Sequence, residues 1–255
     1  MSTKPLIFAH RGANKEAAEN TRSAFEKALT YPIDGIETDV QLSRDEVAVL
    51  WHDRFLGKVG LRTKHIDDFD YAQLQRMNFA GHFSRKSESE GIMRLEQFLD
   101  AYRTRCRLLI EIKNRDWEPV ARHQIKVRQT LDFIEAPAPL NDVPRSDAIM
   151  VSSFNLASLI YAEQYKPGFP LIYNFERDQT LADTQRVLTE FPVLRGLCLP
   201  IENLDENMVS LLRAHDKCIA VYTCNSDQEI SKALQLKVDI LISDVPQKAL
   251  KLRDT

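Results

Sequence analysis

A short apolar run followed by a stretch with apolar residues at helical spacing recurs along this chain. The runs fall at residues 6–10, 35–41, 107–113, 148–153, 169–174, 196–200, 217–223 and 239–243. Between most of them the spacing turns helical, as with Leu156, Leu159 and Ile160 before Glu163, or Val209, Leu212 and Arg213 before His215. Strands that alternate with helices pair in parallel through right-handed crossovers. Eight such units in 255 residues predict an α/β fold, a closed (β/α)8 TIM barrel forming a single domain over 1–255. The alternative, an open doubly wound sheet, often carries a Gly-x-Gly-x-x-Gly phosphate loop, and none occurs here. A composition of 44% hydrophobic and 28% charged residues supplies the core such a barrel needs.

One connection is irregular. After Gln41 comes the turn signal Leu42-Ser43-Arg44-Asp45-Glu46, then Val47-Ala48-Val49-Leu50-Trp51-His52, which predicts a strand returning by a hairpin. A long polar segment follows from Asp53 to Gly91, with a helix expected around residues 71–77. We read residues 53–91 as a small insertion after the second strand. In a barrel this loop lies at the C-terminal face, where active sites are built.

The remaining composition narrows the partners. The formal net charge is -3 and no basic stripe is present, which argues against a nucleic-acid partner. No apolar stretch is long enough to span a bilayer, and the N-terminus lacks a signal-peptide core of the usual length. These features predict a cytoplasmic protein with no nucleic-acid partner and no stable membrane insertion. Cys106, Cys198, Cys218 and Cys224 form no Cys-x-x-Cys pair and are expected to be small buried apolar residues.

Charge sits at the strand ends. Alternate residues of a strand share a face, so Ile36, Thr38 and Val40 point one way and Glu37 and Asp39 the other. The helix-facing side of a barrel strand must be apolar, so both carboxylates are expected to face the barrel axis. Glu111 and Lys113 repeat the pattern beside Leu108, Ile110 and Ile112, and His10 shares a face with Leu6 and Phe8. Inward carboxylates at one barrel end persist only when paired or bound to metal, and hard oxygen ligands suit Mg²⁺ or Ca²⁺. His10 and His52, both expected at C-terminal strand ends, are the acid/base candidates, since imidazole titrates near neutrality. Arg11 and Lys113 can clamp a phosphate or pair with the carboxylates, and the two roles are compatible. His65, His82, His123 and His215 are read as surface or structural.

These residues carry a family resemblance. His10-Arg11-Gly12, Glu19-Asn20-Thr21 with Ala24-Phe25, residues 35–43 with Asp45, His52-Asp53, Glu111-Ile112-Lys113 and residues 239–246 resemble the glycerophosphodiester phosphodiesterase signature, in order along nearly the whole chain. The resemblance implies one divalent cation, Mg²⁺ or Ca²⁺, held by Glu37, Asp39 and Glu111. It also implies His10 and His52 as the general acid/base pair, Arg11 and Lys113 on the phosphate, and hydrolysis to sn-glycerol 3-phosphate and an alcohol. This sequence departs from the family pattern in three places. Ile92-Met93-Arg94-Leu95 stands where Pro-Thr often precedes Leu, Lys58 stands where Arg is common, and Tyr222-Thr223 stands where Trp-Thr is usual. Tyr222 is therefore expected to line the glycerol pocket. Two rival readings are a phospholipase D-like enzyme releasing cyclic phosphates from lipids, and a non-catalytic metabolite-binding barrel.

Overall fold

The computed structural model describes residues 4–84, 88–136 and 148–255. Eight parallel strands close into a barrel: β1 Leu6–His10, β2 Gly35–Leu42, β4 Arg107–Ile112, β5 Ile149–Ser153, β6 Leu171–Asn174, β7 Gly196–Pro200, β8 Cys218–Tyr222 and β9 Ile240–Ser243. Closure comes from β1, which pairs with β9 on one side and β2 on the other. The expected runs match these strands to within about two residues at each end, the usual latitude of element boundaries. Helices α1 (Arg22–Ala28), α3 (Leu95–Tyr102), α4 (Val120–Glu135), α5 (Leu156–Tyr165), α6 (Leu181–Glu190), α7 (Glu206–Ala214), α8 (Asp227–Gln235) and α9 (Pro246–Asp254) surround the barrel. Thr21, Asn155, Thr180, Asp205 and Ser226 cap five of them, each accepting a backbone N–H of the first turn, which satisfies donors the helix cannot pair itself.

Strand parity sorts the core into layers. Phe8, Leu109, Met150, Ile172, Cys198, Ala220, Ile240 and Ile242 pack against one another inside the barrel. The alternate residues, such as Ile7, Val151, Leu171, Leu197, Ile219 and Leu241, form the shell between strands and helices. Cys198 and Cys224 are buried as expected, whereas Cys106 and Cys218 are only partly so, and all four are free thiols.

The predicted hairpin is present as β3 (Ala48–Leu50), shorter than the run suggested. It runs antiparallel to the outer half of β2, with Val40 opposite Leu50 and Leu42 opposite Ala48. It takes over the edge of β2 that β1 leaves at Glu37. The Trp51 N–H continues the ladder by donating to Asp39 O at 3.1 Å, so the chain reaches His52 stitched to the barrel.

The segment that follows contains helix α2 (Tyr71–Leu74), which ends three residues before the expected limit. Residues 85–87 of the expected insertion lie outside the described residues. Although mostly polar, the segment has a small apolar cluster in which Leu56, Ile66, Leu74, Phe79 and Ile92 gather around Val49 and Trp51. Arg94 precedes the first residue of α3, and its N–H donates to Gln97 Oε1 at 3.2 Å, so the helix that follows starts without Pro-Thr.

Candidate active site

The site lies at the C-terminal end of the barrel, and its shape begins with backbone. After His10 the chain turns sharply through Arg11 and Gly12, at φ 56° and 82°. A Cβ on Gly12 would stand 2.6 Å from the Ala24 backbone, so only glycine lets this loop pack on α1. The turn brings the Arg11 N–H to Glu37 O at 2.9 Å and Glu37 Oε2 at 3.2 Å.

Glu37 and Asp39 from β2 and Glu111 from β4 meet at the barrel mouth, with one carboxylate oxygen from each lying within 4.8 Å of the others. All three are buried. Asp39 and Glu111 are directly opposite in the parallel register, which explains why two strands deliver one cluster. Lys113 Nζ lies 3.1 Å from Asp39 Oδ1 and 2.5 Å from Glu111 Oε1. Arg11 Nε lies 3.1 Å from Asp39 Oδ2. The lysine balances charge without aligned hydrogen bonds, because Asp39 Oδ1 and Glu111 Oε1 receive no directed donor. Burial and the neighbouring Asp39 charge push the Glu37 carboxyl well above the usual carboxylate range. Burial acts on Asp39 in the same direction, but the Lys113 and Arg11 cations outweigh it and hold Asp39 low.

This cluster fits a divalent cation. Three buried carboxylates face two fixed cations, and two of their oxygens lack directed partners. Oxygens that share one Ca²⁺ or Mg²⁺ ion stand no farther apart than about 5 Å, and one oxygen from each carboxylate lies within 4.8 Å of the others. A second acidic group, Glu19 and Asp53 with His52, already contains an ammonium. Lys58 Nζ lies 2.7 Å from Glu19 and 3.0 Å from Asp53.

His10 and His52 line one cavity of about 150 Å³ together with Arg11, Glu37, Glu111, Lys113, Ser152, Phe154, Asn174 and Tyr222. His10 Nδ1 is 2.6 Å from Asp244 Oδ1, and His52 Nδ1 is 2.9 Å from Asp53 Oδ1. An ionised carboxylate only accepts, so each Nδ1 carries its proton and each Nε2 is left for chemistry. Burial raises Asp244, but the hydrogen bond and charge of His10 outweigh it, and the carboxyl is held low. Burial and the Arg11 charge lower His10.

The Tyr222 ring lines this cavity and stands edge-on to Phe154, with centroids 5.9 Å apart. Its hydroxyl donates to Phe175 O at 2.5 Å, so the ring, rather than the oxygen, is what it offers the pocket. Through His52, Glu111, Lys113, Phe154 and Tyr222 the cavity continues into an outer groove of about 980 Å³, also lined by Arg115, Asp116, Glu176 and Asp178.

Residues 10–248 match the model of the glycerophosphoryl diester phosphodiesterase family. The chain belongs to that family. A glycerophosphodiester phosphodiesterase of Bacillus altitudinis is 28% identical over 254 residues, covering 97% of this chain and 98% of its own length. Two solved structures share the fold. One is an Oleispira antarctica phosphodiesterase in complex with the product sn-glycerol-3-phosphate, at TM-score 0.85 and 24% identity, covering 99% and 98% of the two chains. The other is a glycerophosphodiester phosphodiesterase of Thermotoga maritima, at TM-score 0.74 and 24% identity, covering 99% and 100%.

As a phosphodiesterase of this family, the chain carries supporting residues that motif reading passed over. Asp244 lies within residues 239–246, but no local pattern gives it a role, because its partner His10 is 234 positions away. Arg115 donates through Nη2 to His52 O, and Gln41 Nε2 donates to Trp51 O at 2.8 Å and Asp53 O at 3.1 Å. The two together clamp the backbone around His52. Of the other histidines, His65 is stacked between Phe55 and Trp117 at 4.9 and 4.1 Å, and His123 lies 3.3 Å from Glu118. His82 and His215 are exposed.

Proposed function

We propose that this protein is one catalytic barrel domain, with residues 53–91 inserted, that hydrolyses glycerophosphodiesters to sn-glycerol 3-phosphate and an alcohol. One divalent cation, Mg²⁺ or Ca²⁺, would be held by Glu37, Asp39 and Glu111. The observation that carries this reading is the convergence of three buried carboxylates, two histidines with oriented Nδ1 atoms, and two fixed cations on one cavity. When bound, such a cation polarises a phosphoryl oxygen. Arg11 and Lys113 add fixed positive charge on the same side.

The histidines divide the proton work. One Nε2 takes the proton from the attacking oxygen and the other gives one to the leaving alcohol. The attacking oxygen we assign is the substrate's own 2-hydroxyl, whose tether to the phosphate makes the attack intramolecular. That step forms a new O–P bond, breaks the O–P bond to the alcohol and leaves a cyclic phosphate. Water then opens the ring with the two proton transfers reversed. The Tyr222 ring packs on the glycerol carbons. Among the described residues no helix is long and apolar enough to cross a membrane, in keeping with a cytoplasmic enzyme acting on a small soluble substrate.

The test is a panel of soluble glycerophosphodiesters, with and without chelator, scored for glycerol 3-phosphate. Release that stops in chelator and returns with Mg²⁺ or Ca²⁺ is expected. Full release in chelator would overturn the metal assignment, and no release from any diester would overturn the function.

A further inference from the structure

The inner wall of the barrel mouth divides by strand. The interior positions of β1, β2 and β4, and of the residue after β4, carry His10, Glu37, Asp39, Glu111 and Lys113. Those of β5 to β8 carry Ser152, Asn174, Cys198 and Tyr222. The second group stays neutral, since burial pushes both the Cys198 thiol and the Tyr222 phenol above their ordinary ranges. One side of the cavity therefore suits a phosphate with its counter-ion, and the other an uncharged, hydroxylated group.

Asn174 is the polar anchor of the neutral side. It is the last residue of β6, lines the cavity and is 5% exposed. Its Nδ2 donates to Ser152 Oγ at 3.4 Å. Its Oδ1 is buried and has no hydrogen-bond partner. A buried acceptor without a donor is destabilising, and that cost is removed when a ligand supplies the missing O–H. A carboxamide oxygen repels phosphoryl oxygens, so the complementary ligand atom is a hydroxyl donor. The 2-hydroxyl of a glycerophosphodiester lies next to the phosphate and so on the charged side. The terminal hydroxyl is one carbon farther away, where it would meet the neutral side.

We propose that Asn174, oriented by Ser152, accepts a hydrogen bond from the terminal hydroxyl of the glycerol moiety and so selects glycerol diesters over diesters of shorter or deoxygenated alcohols. The inference rests on the phosphodiesterase reading above. Asn174 acts here as a specificity residue and takes no part in proton transfer.

The experiment compares kcat/KM for glycerophosphoethanolamine with that for the analogue built on 1,2-propanediol. The analogue keeps the 2-hydroxyl but lacks the terminal one. Wild-type enzyme is expected to lose about 10- to 100-fold on the analogue. Asn174→Leu, of similar volume, is expected to show a comparable loss on glycerophosphoethanolamine and no further loss on the analogue. Equal preference for the hydroxyl in wild type and variant would overturn the proposal. If the variant does not fold, as judged by its melting transition, the wild-type ratio decides: equal rates on the two diesters overturn the proposal, and a loss within the stated range supports it. Wild-type enzyme that cleaves neither diester overturns the phosphodiesterase reading itself, an outcome separable from equal cleavage of both.

Discussion

His10 and His52 depend on neighbours that decide which ring nitrogen is free. Asp244 Oδ1 accepts from Asn14 Nδ2 at 2.6 Å as well as facing His10, and its Oδ2 accepts from Asn225 Nδ2 at 2.8 Å. The carboxylate cannot swing away without breaking several hydrogen bonds. Asp244→Asn keeps the shape but can present an N–H to the imidazole and reverse its tautomer. We expect kcat to fall about 10²-fold or more, with an unchanged melting transition. His10→Ala and His52→Ala are expected to lose about 10²–10⁴-fold each. Arg115→Met removes the donor to His52 O while leaving every proton-transfer group in place. It should lower kcat about tenfold with KM little changed, and a KM effect alone would place Arg115 on the substrate instead. Strand parity was enough to place Glu37, Asp39 and Glu111 on the inner face, because it needs only the period of two. Asp244, Arg115 and Asn174 were not legible in the same way. Their partners lie in other elements, and nothing in a local pattern marks a side chain for a contact that closure of the barrel creates.

The loop between β4 and α4 is braced from behind. Lys126, fully buried on α4, donates to Lys113 O and to Glu118 Oε1 and Oε2 at 3.1 and 2.9 Å. Glu118 Oε2 also accepts the Arg115 N–H at 3.1 Å. One buried pair thus holds the stretch that carries Lys113 and Arg115. Burial lowers Lys126 to about 8 in spite of Glu118, a sign of how far it is withdrawn from water. Removing Lys126 takes from Glu118 its nearest cation and leaves it Arg122 and His123 at 3.5 and 3.3 Å, so Lys126→Met should destabilise the fold by about 2 kcal/mol. The double variant Lys126→Met with Glu118→Gln should recover part of that loss, measured by denaturant unfolding. Strictly additive losses would mean that the two side chains do not act as a pair. Strands and most helices were legible because their apolar periods are long and regular. The segment after β3 shows only its polarity in the sequence, because Leu56, Ile66, Leu74, Phe79 and Ile92 follow no period and assemble only in three dimensions.

At the scale of the whole molecule, the barrel mouth gathers three buried carboxylates against two fixed cations. An ion that binds only the folded chain stabilises it by about 2.7 kcal/mol at a hundred times its Kd. Mg²⁺ or Ca²⁺ should therefore raise the melting temperature of the wild-type protein. Glu37→Gln relieves crowding with Asp39 and Glu111, so without metal it should melt no lower than wild type and respond little to added ion. A metal response equal to wild type would exclude Glu37 as a ligand. The two histidines, finally, are anchored differently. His10 ends a strand paired on both sides. His52 follows a three-residue strand whose Ala48 and Leu50 pack in a main core, while Val49 and the following Trp51 join a small satellite cluster with the segment beyond. Such a satellite opens at lower free energy than the body it leans on. Turnover should therefore fade on warming while the barrel's tertiary signal is still intact. The temperature at which the protein stops working is then set by a few residues around Trp51 rather than by the eight-stranded scaffold.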